Sequence, residues 1–319
     1  MTKDRPTPLI GIIILDWDKP EESITCAESV LAELDRHTLV LDGKIVIVDN
    51  GSNENNLKTK QRWFEENQDP RIKLVSNKSN LGFAKGMNRG ISALSTYAAD
   101  YYWLLNNDLE ITPNSILSLF TAARSDPEYC ILGPTILDKS SETIQCAGGC
   151  KYHRWIGIES PLQAGSSIEA LNRKLAILPD YIYGAAMFIR ADFLDGLGGL
   201  DESYFLFYEE LELALNLRVD QQLHWCPDSV VRHRGSKSIS ATNESRSFTA
   251  YHAARSAYEF TWRHYPWCLP TVITFRILGL AAKGMTTGNY PLIGTPWRAL
   301  FSWLRQPSQN VNVEHPPKQ

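Results

Sequence analysis

Apolar residues over the first 140 positions fall into short β-branched runs separated by longer segments of helical spacing. LIGIIIL at 9–15, KIVIV at 44–48, a shorter run at 72–75, YYWLL at 101–105 and a run over 131–137 read as strands. Between them, 21–34, 57–66, 83–94 and a segment entered at Pro113 carry the i, i+3, i+4 spacing of helices. Strands that are apolar throughout and alternate with helices predict an α/β fold: a mostly parallel central sheet flanked by helices. Ligands of such sheets bind beyond the carboxyl ends of the strands. Polar residues gather there: Asp16 and Asp18, Asp49 and Asn50, then Asn106, Asn107 and Asp108.

The pattern weakens over 146–179, which is consistent with either a loop region or a small subsidiary sheet. It resumes over 181–190, passes a glycine cluster at 196–199 and predicts a helix over 209–219. No internal repeat is present. Composition is that of an ordinary globular chain, and a net charge of −4 argues against broad nucleic-acid coating. That average conceals an asymmetry. From Tyr251 onward there are seven Lys or Arg and two Asp or Glu, or +5, which leaves −9 for residues 1–250, and four of the nine tryptophans lie in this last part.

These shifts divide the chain into an α/β region over 1–250, with a strongly patterned half over 1–140 and a weaker half over 141–250, and a basic, aromatic-rich helical appendage over 251–319. Arg255, Arg263, Arg276, Lys283, Arg298 and Arg305 lie among Trp262, Trp267, Trp297 and Trp303. Such a segment suits an anionic membrane surface, here over 251–305; a helical cap or a homodimer interface is the alternative. The N-terminal apolar run is too short for a signal peptide. The best spanning candidate, 267–282, is broken by Pro270 and Arg276. The expectation is a cytoplasmic protein that does not cross a membrane and sits peripherally on the inner face of the plasma membrane. Six scattered cysteines predict buried thiols, and Cys146, Cys150 and His153 lack the second ligand pair of a zinc site.

No Walker loop or dinucleotide fingerprint is present. A strand-end carboxylate holding a divalent cation is another way to bind a diphosphate, and Asp108 is so placed; a polar turn before Pro113 is the plainer reading. In NLGFAKGMNRGI (80–91), Gly82 permits close backbone approach to a ligand. The helix start there, with Lys85, Asn88 and Arg89, offers amides and charge to phosphate, although an ordinary glycine turn fits too. Glu209, Glu210 and Glu212 follow an aromatic strand-to-helix junction. They are either helix-dipole partners or a source of a general base. His233 is either a metal ligand or a surface imidazole.

In this order, LDWDKPE (15–21), IVIVDNGS (45–52), NLGFAKGMNRGI (80–91), YWLLNNDLEI (102–111), the 181–218 segment and VVRHRGSKS (230–238) resemble inverting family 2 glycosyltransferases of GT-A fold. The resemblance covers about residues 1–260 and is nearest the branch of bacterial rhamnosyltransferases and other polysaccharide-assembly enzymes. It implies a nucleoside-diphosphate sugar donor, a glycan or polyprenyl-linked acceptor, and no nucleic acid. It implies that Asp16 and Asp49 hold the nucleotide and that Asn80, Gly82, Lys85 and Asn88 lie along the diphosphate. Asn106, Asn107, Gly184 and Ala185 would border the sugar. Asp108 and His233 would bind Mg2+ or Mn2+, Glu210 would be the catalytic base and Glu209 would contact hydroxyls. The family commonly has Glu-Asp-x-Asp where this chain has Glu209-Glu210-Leu211-Glu212, which leaves the base open among these neighbours. Two other classes compete: a non-catalytic carbohydrate- or nucleotide-sugar-binding protein, and a sugar-phosphate nucleotidyltransferase, whose glycine-rich N-terminal loop is missing.

Overall fold

The strands form because their residues can be buried on both faces, and each polar strand end marks where that burial stops. The structure, a computed structural model, describes residues 7–173, 178–234 and 242–305. The ends of two sequence segments, 235–238 and 306–319, lie outside the described residues. The chain divides into two compact units, residues 1–153 with 158–240, and residues 154–157 with 241–319.

In the first unit, β1 (Leu9–Asp16), β2 (Asp42–Asp49), β3 (Ile72–Ser76) and β4 (Tyr101–Asn106) run parallel. They alternate with α1 (Pro20–Arg36), α2 (Glu54–Asn67) and α3 (Phe83–Leu94). The register pairs Asp16 with Asp49 and Leu15 with Asn106, so the polar ends of three strands come level. Ile10, Ile12 and Ile14 of β1 pack in one core with Ala27, Val30 and Leu34 of α1. Ile13 faces the other core, with Ala84 and Met87 of α3. This two-sided burial explains why β1 lacks hydrophobic alternation.

Beyond β4 the sheet mixes directions. β5 (Leu109–Ile111), α4 (Ser115–Ser125) and β6 (Tyr129–Asp138) lead to β7 (Ile144–Ala147), β8 (Gly149–His153) and β9 (Ile158–Pro161). Then come β10 (Tyr181–Ile182), β11 (Ala186–Arg190), α5 (Ala191–Leu197), α6 (Glu209–Leu215) and β12 (Gln222–His233). The main sheet has the order β3-β2-β1-β4-β11-β6-β12-β5, with β7 on β6. A second, antiparallel sheet has the order β10-β8-β9. The weakly patterned 146–179 stretch therefore contributes the subsidiary sheet. The helix predicted over 209–219 stops at Leu215, where the Asn216 amide turns back onto the Glu212 carbonyl at 2.8 Å.

β12 was not legible as a strand. Its register on β6 jumps between Cys226 and Val230, so Pro227, Asp228 and Ser229 stand out as a bulge. The N-terminus of α4 secures it: Thr112 and Ser115 hydroxyls donate to the Val230 carbonyl at 2.7 and 2.5 Å, and the Ser229 hydroxyl donates to the Ser115 carbonyl at 3.0 Å.

The second unit contains α7 (Asn243–His264), α8 (Leu269–Thr287) and α9 (Pro291–Arg305). Buried Glu259 joins α7 to α9 by accepting from Trp303 Nε1 at 2.8 Å, and it also pairs with Arg263 at 2.7 Å. Contrary to the sequence expectation, Pro266–Thr287 is continuous, and it is long and apolar enough, by length and composition, to cross a membrane. Pro270 does not interrupt it because it lies in the first turn, where its missing N–H has no helical partner. Arg276 donates to the Gly157 carbonyl at 2.6 Å.

Candidate active site

At the ends of β1 and β2, the structure assembles a cluster that sequence reading only half identified. Asp16 and Asp49 are both buried, and the ammonium of buried Lys60 on α2 pairs with both carboxylates. Lys60 also donates to Ser52 Oγ at 2.9 Å. Asp16 accepts from Asn107 Nδ2 at 2.7 Å and from the Lys19 amide at 3.1 Å. Two carboxylates at adjacent strand ends repel, and one cation between them makes their burial tolerable. Both are thus partners of Lys60 and lie beneath the surface. Lys60 was missed, although it shares a helix face with Leu57 and Phe64.

The 77–89 segment is held by Asn50. Its amide donates to Asn80 Oδ1 and to the Gly82 carbonyl, both at 3.0 Å, and its oxygen accepts from Asn77 at 3.0 Å and from the Leu81 amide at 3.1 Å. Gly82 has φ +85, and a Cβ there would lie 2.3 Å from the Phe205 carbonyl oxygen. The Phe83 amide donates to that same oxygen at 2.7 Å. The close approach that Gly82 permits is therefore to the segment leading into α6. Asn88 clamps the neighbouring loop, donating to the Leu200 carbonyl at 2.9 Å and accepting from the Leu200 amide at 2.9 Å. Lys85 is exposed on α3.

Asp108 and His233 are far apart in sequence and meet because β12 pairs with β5, with His233 opposite Leu109. His233 Nε2 lies 2.9 Å from Asp108 Oδ1; the His233 side chain is buried and that of Asp108 partly so. His233 Nδ1 lies 2.8 Å from Gln145 Oε1, and the Gln145 amide donates to the His233 carbonyl at 3.3 Å. That orientation puts the Nδ1 proton toward Gln145 and directs Nε2 at the carboxylate, as in histidines that ligate metals. Gln145 left no sequence signal. No cluster of three His, Cys, Asp or Glu occurs among the described residues. One carboxylate and one imidazole still fit a divalent cation whose other ligands are phosphate oxygens and water.

The acidic residues of α6 divide by partner. Glu212 is buried and accepts from Tyr204 OH at 2.7 Å. Glu209 Oε2 and Glu210 Oε2 are buried with no hydrogen-bond partner among the described residues. Burial pushes Glu209 up to about 7 and Glu210 well above the usual carboxylate range, with the Glu209 charge adding to the rise at Glu210 and Glu159 adding at both. Phe207 and Tyr208, with φ of 68° and 77°, deliver the chain into α6 in a conformation unfavourable for bulky residues. Glu210 lies against Gly184, where a Cβ would come 3.2 Å from its carboxylate oxygen. The next residue, Ala185, accepts from the Asn106 amide at 2.9 Å. A short backbone link thus joins Glu210 to the turn bearing Asp108.

Residues 24–195, more than half the chain, match the family described as "Glycosyl transferase family 2". The chain belongs to that family. Among curated relatives of this family 2 chain, the low-salt glycan biosynthesis hexosyltransferase Agl10 of Haloferax volcanii is 27% identical over 222 residues, 66% of this chain and 61% of that protein. The chain therefore matches less than two thirds of that relative's length. The N-acetylglucosaminyl-diphospho-decaprenol L-rhamnosyltransferase of Mycobacterium tuberculosis is 25% identical over 245 residues, 70% of this chain and 76% of that protein. Among solved structures, the mannosyltransferase PcManGT from Pyrobaculum calidifontis, in complex with GDP-Man and Mn2+, superposes with a TM-score of 0.56 at 14% identity. It covers 92% of this chain and 87% of its own. GalNAc-T7 with UDP, GalNAc and Mn2+ gives 0.56 at 17% identity, covering 80% and 51%. The fold is GT-A.

Proposed function

We propose that this family 2 chain transfers a hexosyl or deoxyhexosyl group from a nucleoside-diphosphate donor to a hydroxyl of a glycan or polyprenyl-linked acceptor. The transfer inverts the anomeric carbon and serves cell-surface polysaccharide assembly. One observation carries the reading: Glu210, whose buried Oε2 has no hydrogen-bond partner among the described residues, lies one short backbone link from the Asp108–His233 pair. Sugar transfer needs both kinds of group, one to relieve charge on the departing diphosphate and one to take a proton from the attacking alcohol.

Asp108 and His233 would hold Mn2+ or Mg2+, and the mixed oxygen–nitrogen set suits Mn2+ better. A cation bound there stabilises negative charge on the leaving diphosphate. Glu210 accepts the proton of the acceptor hydroxyl as the new C–O bond forms on the face opposite the leaving group. Its raised affinity for protons makes it a stronger base than an exposed carboxylate, and the neighbouring Glu209 charge reinforces this. Glu212, occupied by Tyr204, is left as a structural residue. Lys85 offers an ammonium to the diphosphate, and Asn106 offers its amide to the donor sugar. The Asp16–Lys60–Asp49 cluster forms the floor of the nucleotide site. The mycobacterial relative's name supports a lipid-diphosphate acceptor, and both relatives' names support a hexose or L-rhamnose donor.

The test incubates the full chain with Mn2+, a panel of hexose and L-rhamnose nucleoside diphosphates, and polyprenyl-diphosphate-linked N-acetylglucosamine. Release of nucleoside diphosphate, with proton NMR of the product showing the opposite anomeric configuration, is expected. Donor binding without turnover across the panel would favour the non-catalytic binding protein. Pyrophosphate chemistry would favour the nucleotidyltransferase.

A further inference from the structure

The second unit displays apolar side chains that its own packing does not cover. On α9, Trp297, Phe301 and Leu304 are 46%, 57% and 59% exposed and recur every three or four residues, forming one stripe. On α8, Phe275, Leu278 and Met285 form a second exposed stripe at the same kind of spacing, and Trp267, in the turn just before α8, is 88% exposed. Between Pro266 and Arg305 the charged residues are Arg276, Lys283, Arg298 and Arg305, four cations and no carboxylate.

Beside the α9 stripe, Tyr251, Arg298, Phe301, Ser302 and Arg305 line a groove of about 540 Å³. Arg298, Ser302 and Arg305 lie at i, i+4 and i+7 and therefore share a face of α9. Neither guanidinium pairs with a carboxylate among the described residues. Two unpaired guanidiniums with hydroxyls alongside form a donor set suited to a phosphate ester.

We propose that α8 and α9 dock on an anionic bilayer and that this groove seats the phosphate of a lipid headgroup. A dissolved phosphate would account for the arginines but leaves the adjoining tryptophan and phenylalanine in water. A lipid accounts for both, because Trp sits at the level of the headgroups and each nearby cation strengthens attraction to an anionic surface about fivefold. The absence of carboxylates from both helices gives the same charge complementarity. Docking of this kind is interfacial, with helices lying in the headgroup region. It goes beyond sugar transfer and does not depend on it.

Flotation of the full chain with phosphatidylcholine vesicles, with and without 30% phosphatidylglycerol, tests the proposal. Binding at least tenfold stronger to anionic vesicles is expected, weakened by salt and reduced at least tenfold in Arg298→Glu/Arg305→Glu. Phe301→Ser should weaken it severalfold without changing its salt dependence. Circular dichroism identifies any variant that fails to fold, and Arg298→Gln/Arg305→Gln then replaces the charge reversal. Displacement by millimolar glycerol phosphate would overturn the proposal in favour of a soluble ligand. Equal binding to neutral vesicles, no binding, or retention through an alkaline carbonate wash, as a spanning helix gives, would overturn it as well. So would loss of self-association in these variants with vesicle binding unaffected, which would assign the stripe to a second copy.

Discussion

The first unit contains two pairs of acidic residues close in space, and the protein treats them oppositely. Asp16 and Asp49 share the ammonium of Lys60, whereas Glu209 and Glu210 each keep a buried oxygen with no hydrogen-bond partner among the described residues. The first pair is an electrostatically closed part of the scaffold. The second leaves basicity in reserve, at a cost in stability that only a bound ligand or a proton relieves. Buried carboxylates alone do not mark a reactive site; the lack of a compensating cation does.

Four substitutions test that contrast. Lys60→Met leaves two buried charges unpaired and should destabilise the first unit by about 3–5 kcal/mol, read from urea unfolding. A loss under 1 kcal/mol would show that the pair is not closed by Lys60. Glu210→Gln should lower transfer about 100- to 10,000-fold, as expected for removal of a general base, while Mn2+-dependent donor binding persists. Normal turnover would move the base to Glu209.

Glu209→Gln should stabilise the protein at pH 8 by on the order of 3 kcal/mol. Glu209 titrates in the folded chain at about 7 rather than the ordinary 4.5. Between those values the folded state holds the extra proton, so this group's contribution is fully present below about 4.5 and is lost as pH rises through about 7. The advantage of the Gln variant should accordingly vanish by pH 4. A variant of unchanged melting temperature at pH 8 would mean the carboxylate is not strained. Transfer should rise with pH as the pair ionises, and a rate independent of pH from 5 to 8 would argue against a carboxylate base. The smallest effect is expected for Gln145→Leu. Loss of the group orienting His233 should weaken Mn2+ binding, measured with nucleoside diphosphate present, about tenfold.

Where burial is two-sided, the sequence announces it. The β1 run LIGIIIL and the α3 segment 83–94 were readable because apolar spacing and polar ends coincide there. Asp108, His233, Glu209 and Glu210 stood out as chemistry, and the meeting of Asp108 with His233 came from topology: a short β5 lies antiparallel beside β12. β12 itself was hidden by Pro227, Asp228 and Ser229, residues that ordinarily exclude a central strand. Lys60 looked like the exposed Lys58 two residues earlier, because composition does not distinguish a solvated lysine from one paired inside. Pro270 seemed to break a helix that it in fact opens.

The bulge in β12 also sets the tolerance of the His233–Asp108 contact to changes in chain length. Side chains along a strand alternate faces, so parity decides whether His233 points at Asp108 or away from it. With the Val230 carbonyl tied down by Thr112 and Ser115, the downstream parity is set independently of what precedes the bulge. An extra residue at Asp228 should be taken up as slack, whereas one inserted after Val231 should turn the imidazole to the opposite face and break its contact with Asp108.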